Sequence, residues 1–453
     1  MIPTNTYMKN EGDTKMKRKL ILLPIICIFT ISLTACGSTP TSSNNSEVSR
    51  IAELEKETEA KHEELKEQLE ISDSTEDTVQ PTNEENTLLQ ATIESSETNG
   101  VCGADLKWYY KDGVLVITGF GKMNEYDNGN YYTPWDDLKD VITNVIIDEG
   151  ATTIGEFAFY DCENLTTLSL PDTMTSIGNN AFHGCENLTE LIIPESVTNI
   201  GKGAFTDCKS LTELVITDSV TSIGNSAFAY CHNLTKVTIS DSVTNIDDFA
   251  FSGCRNLTEI VIPESVTSMG IGVFDGCGNL SKAVILSKIQ TIGEKTFADC
   301  KNLTEVVLPD TITSIGHRAF YNCTSLNEFT IPNSVTEIGL GAFYSCKYLT
   351  KIAIPNSVTF IDRGAFYNCE NLAEVKLSDN LETIYTDAFG ECRNLTEIIL
   401  PDSVNGMEHN VFSGNDRITI IYKGKSYTNE EFETALSSSH YYGLDIKLLY
   451  VNR

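Results

Sequence analysis

Between Ile154 and Met407 the apolar positions of the chain return every 23 residues, without insertion or deletion. One unit reads I-G-x-x-A-F-x-x-C-x-N-L-T-x-L-x-I-P-x-S-V-T-x. Leucine fills one column without exception, from Leu165 and Leu188 to Leu372 and Leu395. Phenylalanine fills a second, in twelve copies from Phe159 to Phe412. Cysteine fills a third, from Cys162 and Cys185 to Cys392, until Asn415 takes its place. A fixed period of roughly 20–50 residues marks a solenoid. Stacking then makes equivalent positions neighbours, which accounts for columns of one apolar residue type.

Within a unit the segment "LTELIIP" alternates and is rich in β-branched residues, so it predicts a short strand ended by proline or a polar residue. "SVTNIG" predicts a second extended piece, closed by a glycine that permits positive φ. Asp247, Asp362 and Tyr385 stand in place of that glycine in other units. "GAFTDC" is too short for a helix and predicts one helical turn. Strands of successive units pair in parallel about 4.8 Å apart, which makes the array a rod on the order of 50 Å long. Upstream, Asp112-Gly113 between two alternating runs predicts a hairpin with a type I′ turn. Downstream, "ITIIYKGKSYTNEEFETALSSSHYYGLDIKLLYV" reads as strand, turn, strand, short helix and strand.

The unit resembles the leucine-rich repeat of the BspA-like subfamily of bacterial surface proteins, with cysteine replacing a buried leucine of the usual F-x-x-L-x-x-L. The likeness covers residues 139–415 in repeats. It extends upstream through "CGADLKWYYKDGVLVITGFGKM" and "PW", where Cys102, Trp108, Gly119, Gly121, Met123 and Trp135 match that family's N-terminal cap. It implies an α/β leucine-rich-repeat solenoid, curved and strand-rich, of about 11 repeats with N- and C-terminal caps. The expected layout is a cap over 101–138, the array over 139–415 and a second cap over 416–453.

The cysteine column lies on the core face of each rung and admits two readings. Free cysteine serves there as a small hydrophobe. A disulfide ladder suits an exported protein and rungs about 5 Å apart. Parallel stacking, however, sets the side chains side by side, and an odd number of cysteines leaves one over. No histidine shares the period, which argues against zinc.

"MKRKLILLPIICIFTISLTACGS" has the charged start and short apolar run of an export signal, with Met16 as the candidate start. Leu33-Thr34-Ala35-Cys36 resembles the lipobox of bacterial lipoproteins, which implies a lipid on Cys36, removal of residues 1–35 and a place on the extracellular face of a membrane. A single lipid anchors a chain but does not carry it across. Residues 37–100 hold no aromatic residue and sixteen acidic against four basic side chains. Such a stretch predicts an acidic stalk over 36–100, disordered or helical, with helical spacing over 47–70. The whole chain carries a formal charge of −32, which excludes a nucleic-acid backbone as partner.

No nucleophile, P-loop or metal-binding motif occurs, and the six histidines are scattered. No catalysis, cofactor, metal site or small-molecule substrate is therefore expected. The N-L-T and N-L-S triplets at Asn164, Asn187 and later rungs match the glycosylation sequon, but the repeat itself explains them. The informative surface is the strand face, expected on the concave side. One outward column holds Glu190, Glu213, Glu259, Glu305, Glu328, Glu374 and Glu397, interrupted by lysines. The next holds Ile192, Val215, Val261 and Val307. A further acidic column runs through Glu195 and Asp218, without a calcium-chelating loop. Concave solenoid faces commonly bind. These residues predict an extended groove for an extracellular protein partner with apolar and basic character, and adhesion as its use. The alternative is a scaffold that binds the producer's own wall polymer or envelope proteins; the outward columns lack the aromatics that sugar rings favour. The sixth repeat departs most, with Met269, Val273, Leu286 and Lys288 against the pattern.

Overall fold

A computed structural model of the chain describes residues 83–96, 98–126, 133–437 and 446–448. The export signal, Cys36 and the helical spacing at 47–70 lie outside the described residues.

The described part opens with α1 (Asn83–Ser95) and three antiparallel strands, β1 (Thr98–Val101), β2 (Gly103–Lys111) and β3 (Val114–Met123). Asp112 and Gly113 join β2 to β3 with φ of 49° and 88°, the pair of positive values a type I′ turn requires. Gly119 lets β3 cross β2 closely: a Cβ there would sit 2.0 Å from the Asp105 carbonyl oxygen. β3 then starts the solenoid by pairing in parallel with both β4 (Asn144–Ile147) and β5 (Ala151–Ile154). Packed structure is thus present from α1 onward, inside the stretch expected to be disordered or helical. Averaging over an acidic stretch concealed the apolar pair Leu89 and Ile93, four residues apart on one helix face.

Each later turn of the coil has three sides. The first carries strands of three or four residues, such as Glu213–Ile216 paired with Lys236–Ile239, and Glu259–Ile262 with Lys282–Ile285 and Glu305–Val307. The second carries two-residue strands in register 23 apart, unbroken from β5 through Asn199–Ile200 to Ser268–Met269.

The third side runs from the I-G pair to the cysteine, and it differs from expectation. It is a succession of turns with two left-handed residues per rung, four apart, as at Asn180 (φ 51°) and Gly184 (φ 76°). This alternation aims every second N–H along the coil. Asn180 donates to the Lys202 carbonyl, Phe182 to Ala204 and Gly184 to Thr206, each at 2.8 Å. A helical turn would have spent those donors within its own rung. The glycine of the I-G pair does not take positive φ. Its reason is close approach, since a Cβ on Gly178 would meet the backbone of the rung before at 2.7–2.8 Å.

Rungs are held at hydrogen-bonding distance along the turn side but only in places on the strand side. Among the described residues no backbone hydrogen bond joins Thr189–Ile193 to either neighbouring rung. The two-residue ladder breaks between Met269 and Thr291, at the divergent sixth repeat, and again between Ile338 and Phe360. In the sixth repeat Leu286 stands where most rungs have proline, and its N–H donates to the Ile262 carbonyl at 2.9 Å. The corner bond seen from Val266 to Pro263 or Ile312 to Pro309 has no counterpart from Ile289 to Leu286.

The interior is a set of columns. The phenylalanine rings stack face to face, with centroids 5.0 Å apart from Phe159 to Phe182 and 6.1 Å from Phe389 to Phe412. Trp135 closes the near end of that stack at 5.3 Å from Phe159, and its indole N–H donates to the Ala158 carbonyl at 2.8 Å. At the far end, strands Thr419–Tyr422 and Lys425–Thr428 form a hairpin, followed by α2 (Asn429–Ser437), which buries Phe432 and Leu436 over the last rung.

Candidate binding face

All twelve cysteines among the described residues are free and buried. Each thiol from Cys185 onward donates to the phenylalanine carbonyl of the preceding rung, as from Cys185 to Phe159 (3.3 Å), Cys277 to Phe251 (3.3 Å) and Cys392 to Phe366 (3.1 Å). Where Asn415 replaces cysteine, its Nδ2 donates to the Phe389 carbonyl at 2.7 Å. The column is therefore a row of weak donors aimed at buried carbonyls, more than a row of small hydrophobes. Burial pushes these thiols up, to about 12 at Cys231, so they carry none of the thiolate that reactivity needs. Among the described residues no three His, Cys, Asp or Glu side chains gather to hold a metal ion.

The sequon asparagines are occupied similarly. Asn256 donates to Asn233 (3.4 Å), Asn279 to Asn256 (3.0 Å) and Asn302 to Asn279 (3.1 Å). Asn164 and Asn187 instead donate to the Asp140 and Glu163 carbonyls.

On the strand face the register sets the predicted residues side by side. Val215 pairs with Thr238, and Val261 with Val284, which pairs with Val307. Their exposure is uneven. Ile192 is 72% exposed, whereas Val284 is 2% exposed between its two valine neighbours. Val215, Val261 and Val307 are half-buried. The glutamate column is uneven too. Glu328 pairs with Lys351 at 3.1 Å and Glu305 with Lys282 at 3.8 Å, and Glu259 faces Lys282 in register. Glu190, Glu213, Glu374 and Glu397 are exposed and enter no ion pair among the described residues. On the other side of the apolar strip, burial and the neighbouring Asp218 hold the Glu195 carboxyl above its ordinary range.

Two features of this surface were not anticipated from sequence. α1 lies on the first rungs of the strand face, with Leu89 on Val114, Val116 and Ile146 and Ile93 against the same cluster. On the turn side Tyr321, Tyr344 and Tyr367 stack at 5.2 and 4.9 Å, with Arg318 over the first ring at 5.9 Å. The tyrosines at 321, 344 and 367 do share the 23-residue period, which was the available signal.

The family model of the BspA type leucine rich repeat region matches the chain in overlapping stretches from residue 139 to residue 419, more than half of its length. The chain belongs to that family. No curated protein matches it. Among solved structures it is similar to a leucine rich cell surface protein from Faecalibacterium prausnitzii, at 28% identity over 73% of this chain and 96% of that one, with a TM-score of 0.43. It is also similar to a leucine-rich repeat protein from Bacteroides ovatus, at 21% identity over 77% of this chain and 99% of that one, with a TM-score of 0.54. The latter likeness concerns the fold. No helix among the described residues is long and apolar enough to cross a membrane.

Proposed function

We propose that the chain is a lipid-anchored surface protein that binds an extracellular protein partner through the strand face, and that adhesion is the use of that binding. Cys36 carries the lipid, the acidic stretch after it spaces the repeats from the membrane, and the repeats present the face. One observation carries the reading: Ile192, bare on a strand face held by a stacked core, beside the unpaired carboxylates of Glu190 and Glu213. Ile192 adjoins the half-buried Val215 of the next rung, and an apolar strip of this kind rimmed by carboxylates suits a partner. Membership of a repeat family built around extended surfaces supports a binding role. The buried, protonated thiols of the repeats suit a structural use better than a nucleophilic one.

The test is binding of the full chain to immobilised extracellular proteins and, in parallel, to purified cell-wall polymer, at low and high salt. Saturable protein binding that weakens with salt and with Glu190→Gln and Glu213→Gln supports the reading. Binding to wall polymer alone moves the function to an envelope scaffold. For the anchor, Cys36→Ala shifts the protein from the membrane fraction to the soluble fraction; if it stays with the membrane, the lipid assignment fails.

A further inference from the structure

The strand face already holds one helix. Val116 pairs with Ile146 and Ile146 with Ser169, so these side chains stand in a single outward column. α1 covers its beginning: Leu89 is 4% exposed and Val116 is fully buried, in a cluster separate from the main core. Ile192 is the next residue of the column after Ser169 and repeats Ile146 in kind and position. One isoleucine is covered by the chain's own amphipathic helix; the other is bare.

We infer that the rungs of Ile192 and Val215 seat an amphipathic helix of a partner polypeptide, as Val116 and Ile146 seat α1, and that this partner helix is basic along its apolar stripe. The inference rests on the protein-binding reading above and names the chemistry of the partner.

The charge of the partner helix follows from what changes along the face. α1 reads NEENTLLQATIES, with three glutamates and no basic residue. Beneath it the neighbouring outward column holds Val114, Asn144 and Thr167, which are uncharged. The first acid of that column is Glu190, where the face is bare again, followed by Glu213. Glu195 and Asp218 flank the strip on its other side, close enough for Asp218 to raise the Glu195 carboxyl. The far edge is acidic throughout, with Glu149 and Asp172 preceding Glu195 and Asp218, whereas the near edge is uncharged beneath the acidic α1 and becomes acidic only at the vacant rungs. The same contrast argues against the chain's own acidic stretch at 47–70 as occupant, because like charges would meet.

The test uses a labelled alanine-based helical peptide with a leucine and an isoleucine four residues apart and lysines beside them. It is titrated against the full chain by fluorescence anisotropy, with a glutamate-for-lysine counterpart as comparison. The lysine peptide binds saturably and the glutamate peptide does not. Ile192→Asp, exposed enough to leave the fold intact by circular dichroism, weakens binding roughly tenfold or more. Glu190→Lys with Glu213→Lys does the same. Absence of binding, or binding indifferent to Ile192→Asp, overturns the inference. The outcome is separable from the broader reading by running Ile192→Asp against the extracellular proteins as well. If those depend on Ile192 while the peptide does not bind, the face stands and the helix falls. If neither depends on Ile192, both fall.

Discussion

The buried thiols make the repeat array sensitive to alkali in a way that can be calculated. In the unfolded chain a thiol titrates near its ordinary value of 9.0, whereas burial holds Cys231 at about 12 and Cys254 and Cys300 well above 9.0. The S–H donated to a carbonyl of the preceding rung, at 3.2 Å from Cys254 to Phe228, favours the protonated form further. Below pH 9 both states hold the proton and the thiols add no pH dependence. Above it the unfolded state releases protons that the folded state keeps. Stability is therefore intact below the unfolded value and is lost as pH rises towards the folded one. Each thiol exposed on unfolding costs about 1.4 kcal/mol per pH unit in that window.

The perturbation is Cys254→Ala, Cys277→Ala and Cys300→Ala together, three neighbouring rungs. Urea unfolding followed by circular dichroism is measured between pH 8 and pH 10.5 for this variant and for the unaltered chain. The variant is less stable at pH 8, but its loss of stability per pH unit above 9 is smaller by about 4 kcal/mol, three times the single-thiol value. All other side chains are common to both proteins and cancel in the comparison. Because a solenoid is coupled through nearest neighbours, the difference concerns the cooperative block containing those rungs. Equal pH slopes would refute the reasoning, since they would mean that the thiols either titrate while folded or are not protonated thiols at all.

Other perturbations separate the parts of the core. Cys277→Ala should cost about 2 kcal/mol, roughly half from the donor and half from lost apolar burial; Cys277→Ser keeps a donor for Phe251 and should cost less, and a serine variant weaker than alanine in urea would exclude the hydrogen bond. Phe251→Ala removes a ring stacked on both sides, at 5.7 and 5.8 Å, and should cost about 3–5 kcal/mol. Phe412 stacks on one neighbour, so Phe412→Ala should cost about 1 kcal/mol less by the value of one ring pair. Burial tends to raise the Glu408 carboxyl, but the Arg363 guanidinium at 3.0 and 3.2 Å and the hydrogen bonds from Thr386 outweigh it and hold it below its ordinary range. Its contribution is present above about pH 4.5 and lost on acidification, so hydrogen exchange should show the last rungs loosening first in acid, and Glu408→Gln should abolish that acid dependence.

Much of the fold was legible because the period is strict. Columns of leucine and phenylalanine can be counted directly, and stacking is the arrangement that makes them neighbours. The third side was less legible. Its left-handed residues include Phe157, Tyr230, Lys295 and Arg318, which do not signal positive φ. Both columns nevertheless carry a bias that could have been read: Asn180, Gly203 and Gly272 in one, and Asp161, Gly184 and Asp207 in the other, are types that tolerate this conformation. The I-G glycine was misread because its constraint lies in the neighbouring rung, outside any single unit. The cysteine column had a clue at its end. Asparagine is a poor substitute for a small hydrophobe but a good one for a donor, and Asn415 replaces cysteine where the donor is needed.

For the strand face, the residue types were legible and their grouping was not. The extended groove was expected along a glutamate column interrupted by lysines, and two of those lysines, Lys282 and Lys351, pair with Glu305 and Glu328 in its middle. Ile399, 61% exposed, follows Lys376 in the apolar column, so the strip is interrupted there. Ile192 instead lies between Ser169 and Val215, with unpaired acids beside it, in the stretch Thr189–Ile193 that no backbone hydrogen bond among the described residues joins to either neighbouring rung. The strand face thus narrows from a groove along the array to a short stretch near its beginning, directly after the rungs that α1 covers. Position matters physically here. A partner helix at that stretch would follow directly on the rungs that α1 covers, and its basic residues would meet Glu190 and Glu213, with no lysine of the apolar column between them. Binding at the start of the array should therefore be stronger than at an equivalent apolar position elsewhere, and Ile399→Asp should leave the lysine peptide's affinity unchanged where Ile192→Asp lowers it.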